Sequence, residues 1–120
     1  MKKNENLSLN MAKLTVKALE DKKAEDIRVI DISSVSVLGD FFILASGTNR
    51  SQIHAMSDEV ERVLAANGFN VKQIEGYDNA NWILLDYGDI IVHLFDKENR
   101  LFYNLERIWR DGKEVEIEKA

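Results

Sequence analysis

The chain has 120 residues, 45% of them hydrophobic, no cysteine and a formal net charge of -5. This length suits one domain with a single core, and the absence of cysteine excludes disulfides and thiolate zinc sites. The negative charge disfavours a stand-alone nucleic-acid binder, because phosphate affinity comes mostly from clustered lysine and arginine. We therefore expect one domain that prefers a basic partner and has little direct affinity for nucleic acid.

The N-terminal segment MKKNENLSLN contains two lysines but no continuous hydrophobic run behind them. It does not resemble a signal peptide, and the apolar runs elsewhere in the chain are strand-sized, too short to span a membrane. We therefore expect a cytoplasmic protein that does not enter a membrane.

The first half of the chain predicts a helix, two strands and a second helix. Apolar residues recur at helical spacing over Leu7–Lys22, and the alternating run Asp26–Ile32 and the apolar run Phe41–Ala45 are typical of strands. The second helix follows a turn at residues 46–49 and ends at Asn67-Gly68. Its buried stripe consists of Ile53, Met56, Val60, Val63 and Leu64.

The second half predicts three more strands and a closing helix. Phe69–Glu75 is one strand, Trp82–Phe95 contains two joined at Tyr87-Gly88, and Asn99–Trp109 has helical spacing. The resulting order, αββαβββα, indicates a single α/β domain with a mixed sheet of about five strands packed with helices. We expect this domain to span residues 1–112 and residues 113–120 to form a flexible tail.

The segment EGYDNANWILLDYGDIIVHLFD, residues 75–96, predicts a hairpin with two different faces. With Tyr87-Gly88 as a two-residue loop, Asp86 pairs with Asp89 and Trp82 with His93. One face is wholly aliphatic and belongs in the core: Ile83, Leu85, Ile90, Val92 and Leu94. The other is too apolar for solvent and too charged for a core: Trp82, Leu84, Asp86, Asp89, Ile91, His93 and Phe95.

The charge around this hairpin indicates what could cover the second face. No lysine or arginine occurs between Lys72 and Lys97, whereas one glutamate and four aspartates do. A tryptophan ringed by carboxylates suits a basic protein surface. Structural alternatives stay open: Trp82 could lie beneath another helix, the turn aspartates could serve local hydrogen bonds, and His93 could be a satisfied structural histidine.

An enzyme interpretation has weaker support. The segment LASGTNRS, residues 44–51, leads from a strand through Gly47 into a helix and resembles the Gly-Ser turn of nucleotidyltransferases. Those enzymes hold magnesium with paired carboxylates on one side of a strand, whereas Asp86 and Asp89 straddle a turn. The simpler interpretation is a tight turn, for which a positive φ at Gly47 would explain the glycine, followed by a helix cap. We predict no catalytic residue, metal or cofactor, and a nucleotide-binding enzyme is the alternative.

Four blocks of sequence together carry a family resemblance. They are DIRVIDIS (26–33), GDFFILASGTNRSQIHA (39–55), EGYDNANWILLDYGDIIVHLF (75–95) and RLFYNLERIW (100–109). In this order they resemble the ribosomal silencing factor family, also called Iojap-like proteins. The resemblance implies a nucleotidyltransferase-like topology without catalytic acids, and no enzyme activity.

The resemblance also implies a partner and a mechanism. Members of that family bind the large ribosomal subunit through its fourteenth ribosomal protein and block joining of the small subunit when nutrients run short. Mitochondrial relatives act in large-subunit assembly, and the resemblance suggests homodimers in isolation. The candidate partner-binding residues are Trp82, Leu84, Asp86, Asp89, Ile91, His93 and Phe95 of the hairpin, with Tyr77, Arg100 and Tyr103.

Overall fold

The structure, a computed structural model, describes residues 2–33, 39–97 and 113–115. These ranges contain two helices, α1 (Lys2–Asp21) and α2 (Arg50–Ala66), and six strands: β1 (Glu25–Asp31), β2 (Phe41–Gly47), β3 (Gln73–Glu75), β4 (Trp82–Asp86), β5 (Ile90–Asp96) and β6 (Lys113–Val115). The predicted closing helix, Asn99–Trp109, lies outside the described residues. Within them, no helix is long and apolar enough to cross a bilayer.

The strands form one mixed sheet in the order β3-β4-β5-β2-β1-β6. Strands β2 and β5 run parallel, and the other neighbours are antiparallel. The connection from β2 to β5 passes through α2, as a parallel pair requires a crossover. The predicted single α/β domain with a mixed sheet packed by helices is therefore confirmed.

Local signals in the sequence explain where α2 begins and ends. The side chain of Asn49 accepts a hydrogen bond from the backbone N–H of Gln52 at 2.8 Å, which caps the N-terminus. At the other end, Gly68 adopts a φ of 88°, a left-handed conformation that glycine reaches without strain. The predicted boundaries of this helix are thus set by its neighbouring residues.

Two predictions about strands are corrected. The third strand is shorter than Phe69–Glu75, because only Gln73–Glu75 pairs with β4. Residues 113–115 are not part of a flexible tail: they form β6 and pair antiparallel with β1, Val115 opposite Val29. The partner of β6 lies more than 80 residues away in sequence, so no local pattern could reveal this pairing.

Alternate residues of the strands point to opposite sides of the sheet, which we call the helix face and the outer face. Side chains of α1 and α2 pack on the helix face in one large apolar cluster. The sheet contributes to it Val29, Phe41, Ile43, Ala45, Ile83, Leu85, Ile90, Val92 and Leu94. A second cluster lies on the outer face, and no described side chain of α1 or α2 belongs to it. Its buried members are Ile30, Ile32, Phe42, Leu44, Ile91 and Phe95.

The hairpin of β4 and β5 has the predicted faces but a different register. Asp86 pairs with Ile91 and Trp82 with Phe95, two positions away from the predicted pairs. The turn is centred on Gly88-Asp89 and not on Tyr87-Gly88, and a hydrogen bond from the Tyr87 N–H to the Ile90 carbonyl at 3.0 Å closes it. Because side chains alternate with a period of two, a shift of two residues keeps every side chain on its predicted face.

Candidate functional site

The seven hairpin residues predicted to contact a partner lie on the outer face or in the turn at its edge. The exposed fraction of their side chains differs. Ile91, His93 and Phe95 are buried, at 8%, 4% and 1% exposure. Trp82, Leu84, Asp86 and Asp89 are half-buried. The predicted face is therefore only partly accessible, and its buried members on β5 lie beside the half-buried ones on β4.

A group of aromatic rings lies on the outer face, near the start of β4 and the end of β5. The Trp82 ring stacks on Phe95, with 5.6 Å between centroids and 26° between planes. The centroid of His93 lies 5.9 Å from that of Trp82 and 4.6 Å from that of Phe42. These distances fall within the range in which aromatic pairs attract each other, so the rings form one packed group.

A hydrogen bond joins the two polar members of this group. The indole N–H of Trp82 donates to Nδ1 of His93 at 3.0 Å. Since Trp82 lies opposite Phe95 and His93 lies opposite Leu84, the bond crosses the hairpin diagonally. The predicted direct pairing of Trp82 with His93 is wrong, yet the two side chains still meet, because diagonal neighbours on one face are within reach of long side chains.

Burial controls the charge of His93. Removal from water lowers the pKa of the imidazole from 6.5 to about 4, because burial penalises the charged form. The ring is therefore neutral at physiological pH. Its Nε2 is a buried nitrogen with no hydrogen-bond partner in the described part of the chain. Such a group costs roughly 1–3 kcal/mol when it is a donor.

Asp86 has a local role in the turn. One side-chain oxygen of Asp86 accepts a hydrogen bond from the Gly88 N–H at 2.8 Å, and Gly88 has a φ of 85°. The Lys72 amine lies over the same turn, since a Cβ added at Gly88 would stand 2.7 Å from its Nζ. The acidic surface around this turn thus includes one cation, Lys72, which comes just before the lysine-free segment of the sequence.

The other predicted partner-binding residues are Tyr77, Arg100 and Tyr103. Tyr77 packs on α2, where its hydroxyl donates to Asp58 at 2.9 Å and its ring stacks on His54 at 4.4 Å. The hydrogen bond to Asp58, followed by burial, raises the pKa of Tyr77. Arg100 and Tyr103 lie outside the described residues. The structure therefore does not bring Tyr77 to the outer face.

Two features were not anticipated from the sequence. Tyr87, expected to be a loop residue, is 5% exposed and belongs to the helix-face core, where burial raises the pKa of its hydroxyl and Glu61 adds to the effect. Gly47 has no positive φ, so that expected reason for the glycine is wrong. A Cβ there would stand 2.7 Å from Cγ1 of Ile53, and the glycine lets β2 and α2 approach closely.

The residues proposed for an enzyme site are far apart. Gly47 pairs with Asp96 at the carboxyl end of the parallel strands β2 and β5, whereas Asp89 precedes β5 at the other end. Seven residues of strand span roughly 23 Å. Gly47 and the hairpin aspartates therefore cannot form one site, and within residues 2–33, 39–97 and 113–115 no three histidine or acidic side chains cluster as metal ligands.

A cleft of about 510 Å³ does lie beside Gly47, lined by Thr48, Asn49, Arg50, Asn79, Asn81 and Asp96 among others. The guanidinium of Arg50 donates to the carbonyl of Asp78 at 2.7 Å. Oε1 of Gln52 accepts the Thr48 N–H at 2.7 Å. These groups, which would serve an anionic ligand at a helix N-terminus, thus already make internal hydrogen bonds.

Comparison with known proteins identifies the family. Residues 5–120 match the family described as "Ribosomal silencing factor during starvation". The chain belongs to this family. The ribosomal silencing factor of Halalkalibacterium halodurans is 39% identical over 108 residues, covering 90% of this chain and 92% of that protein. The ribosomal silencing factor fold is also seen in a crystal structure of a Chromobacterium violaceum protein, with a TM-score of 0.83 and 31% identity over 92% of this chain and 93% of that one.

Relatives also occur in organelles. The mouse protein named "Mitochondrial assembly of ribosomal large subunit protein 1" is 31% identical over 99 residues, which cover 80% of this chain and 43% of the mouse protein. Membership of the ribosomal silencing factor family implies an association with the ribosome and a regulatory role.

Proposed function

We propose that this protein binds the large ribosomal subunit with the outer face of its sheet and blocks joining of the small subunit, repressing translation when nutrients are short. The family resemblance directs this proposal to the fourteenth ribosomal protein of the large subunit and to the cytoplasm. The observation that carries it is the aromatic group on the outer face, in which half-buried Trp82 lies on buried Phe95 and His93.

This group has the composition of an interface centre. Tryptophan is enriched among residues that dominate binding energy, and such residues contribute most when a rigid surround fixes them in place. Among the described residues, Trp82 and Leu84 are the half-buried hydrophobic ones packed against the outer-face cluster. Together they offer a partner a small apolar patch that is already ordered before binding.

The charges around the patch favour a basic partner. Asp86 and Asp89 lie at the turn end of the hairpin, and Glu75 is exposed on the edge strand β3. A protein surface rich in arginine and lysine would pair with these carboxylates, while a separate apolar part of that surface covers Trp82 at the other end of β4. Lys72, near Gly88, reduces the negative field at the turn, so the charge complementarity is strongest away from that point.

The mechanism requires only bulk. The domain measures 38 × 32 × 27 Å, and a body of this size seated on the face where subunits meet excludes the other subunit sterically. No chemical step is needed, and we propose that the protein is not an enzyme. In the absence of ribosomes, the apolar patch would be covered in a homodimer.

The test of this proposal is to remove the Trp82 side chain, which is the proposed anchor of the interface. Trp82→Ala should abolish pelleting with purified large subunits, since truncation of a central interface tryptophan costs about 2 kcal/mol or more, roughly 30-fold in affinity. Tyr77→Phe is the matched control: it removes the hydroxyl bonded to Asp58 on the α2 side and should leave pelleting unchanged. Light scattering of mixed subunits would then show whether blocked joining follows docking.

Three results would contradict the proposal. If Trp82→Ala stays folded by circular dichroism and still pellets normally, the docking surface lies elsewhere on the domain. If it unfolds, Trp82 is a core residue, as in the alternative that places it beneath another helix. Magnesium-dependent nucleotide turnover by the purified protein would contradict the non-enzymatic mechanism.

A further inference from the structure

The indole of Trp82 is oriented by two residues of β5, Phe95 and His93. Its ring stacks on Phe95, which sets the plane, and its N–H donates to Nδ1 of His93 at 3.0 Å, which fixes the rotation within that plane. A stacked ring alone can turn on its neighbour, because stacking is only weakly directional. The hydrogen bond therefore adds a constraint that packing does not provide.

His93 is itself unable to follow a moving indole. The Phe42 ring lies 4.6 Å from it on one side, and the Phe95 ring lies nearly parallel to it, with 8° between the planes. The residue is 4% exposed. A close-packed ring of this kind keeps one rotamer, so the acceptor at Nδ1 has a fixed position in the outer face.

The choice of histidine at this position needs an explanation. A nitrogen that accepts from the indole must be unprotonated, so the ring proton of neutral His93 is on Nε2. That Nε2 is buried with no partner among the described residues. A leucine would fill the space between Phe42 and Phe95 without leaving a polar group unsatisfied. Packing alone therefore does not favour histidine, whereas the need for an acceptor at Nδ1 does.

We propose that His93 is a positioning residue for docking, and that its Nδ1 holds the Trp82 indole in the orientation that the partner protein receives. This inference rests on the proposed function, in which Trp82 is the anchor. His93 does not touch the partner. Because the indole N–H is already bonded to His93, the partner's pocket presents an apolar surface to the ring and needs no acceptor at that point.

A matched pair of variants tests the acceptor. Asparagine and leucine have nearly the same shape, but the side-chain oxygen of His93→Asn hangs from Cγ as Nδ1 does and can accept from the indole, whereas His93→Leu offers only methyl groups. The Trp82 indole N–H resonance, assigned with Trp82→Phe, reports the hydrogen bond by NMR. Pelleting with large subunits reports docking, and circular dichroism reports the fold.

We expect His93→Leu to move the indole resonance and to weaken docking about tenfold, and His93→Asn to keep the resonance and dock within about twofold of the unaltered protein. Equal weakening by both variants would overturn the proposal, since the acceptor would then be irrelevant. Normal docking by folded His93→Leu would overturn it as well. In that case the proposed function still stands, provided that Trp82→Ala fails to dock; if Trp82→Ala also docks, both fail.

The unaltered protein provides a test that does not depend on folding of a variant. Its two histidines, His54 and His93, can be distinguished in nitrogen NMR spectra with His54→Gln as the reference. We expect the proton of His93 on Nε2 and an unprotonated Nδ1. A spectrum that shows His93 protonated at Nδ1 would overturn the proposal, because that nitrogen could not accept from Trp82.

Discussion

The helix face and the outer face are made by alternate residues of the same strands, yet they are built differently. On the helix face, Ile83, Leu85 and Leu94 are fully buried beneath α1 and α2. On the outer face, neighbouring Trp82 and Leu84 are half-buried, and the cluster contains an imidazole. The helix face is mostly aliphatic and deeply buried, which suits stability, while the outer face has a half-buried tryptophan that we propose a partner contacts.

Adjacent leucines in β4 compare the two faces directly. Leu85→Ala removes a fully buried side chain beneath the helices and should lower the free energy of unfolding by about 2–5 kcal/mol. Leu84→Ala removes a half-buried one and should lower it by about 1 kcal/mol. Urea denaturation measures both. Equal losses would show that the outer face is as much a core as the helix face.

The contact between β2 and α2 gives the next largest expected effect. In Gly47→Ala the new methyl would stand 2.7 Å from Cγ1 of Ile53 and 3.2 Å from Sδ of Met56, so the Ile53 side chain or the helix that carries it must shift. Overpacking of this kind costs about 1–3 kcal/mol. Thermal melting should show the loss, with docking unchanged at a temperature where the variant is folded. An unchanged melting temperature would show that the packing between β2 and α2 accommodates the new methyl group without loss of stability.

Because His93 is buried on the outer face, we predict that the free energy of unfolding depends on pH. The pKa of His93 is about 4 in the folded chain and 6.5 without the fold, so between these values the unfolded state binds more protons. The stability contribution is complete above pH 6.5 and is lost as the pH falls towards 4. Between pH 7.5 and pH 5 we expect a loss of about 2 kcal/mol in urea denaturation. His93→Asn should remove this loss and His54→Asn should retain it.

The smallest expected effect concerns the charged rim of the outer face. Asp86→Asn keeps an oxygen that can accept from the Gly88 N–H, so stability should change by less than about 0.5 kcal/mol. Removing the charge should slow association with large subunits at low salt and reduce its salt dependence, because rim charges act mostly on association rates. Unaltered association would show that Lys72 already neutralises this end of the face.

The residues of the hairpin show how far local sequence could predict the site. Strict alternation placed Ile83, Leu85, Ile90, Val92 and Leu94 on the helix face, and the structure confirms this. The register was wrong by two positions, since the turn is centred on Gly88-Asp89 and not on Tyr87-Gly88. A pattern with a period of two determines the face of a side chain but not its partner across the hairpin.

The sequence by itself determined the elements whose signals are local: α1, α2 with its asparagine cap, and the strands with alternating apolar residues. Only the tertiary structure decided contacts that depend on distant segments. It paired β6 with β1, packed Tyr87 into the core, moved Tyr77 to α2 and placed Lys72 over Gly88. It also buried His93 against Phe42 of another strand, and this burial keeps the imidazole neutral and able to accept from Trp82. Propensity and periodicity depend on neighbours in the chain, whereas burial and hydrogen-bond partners depend on where the chain returns in space.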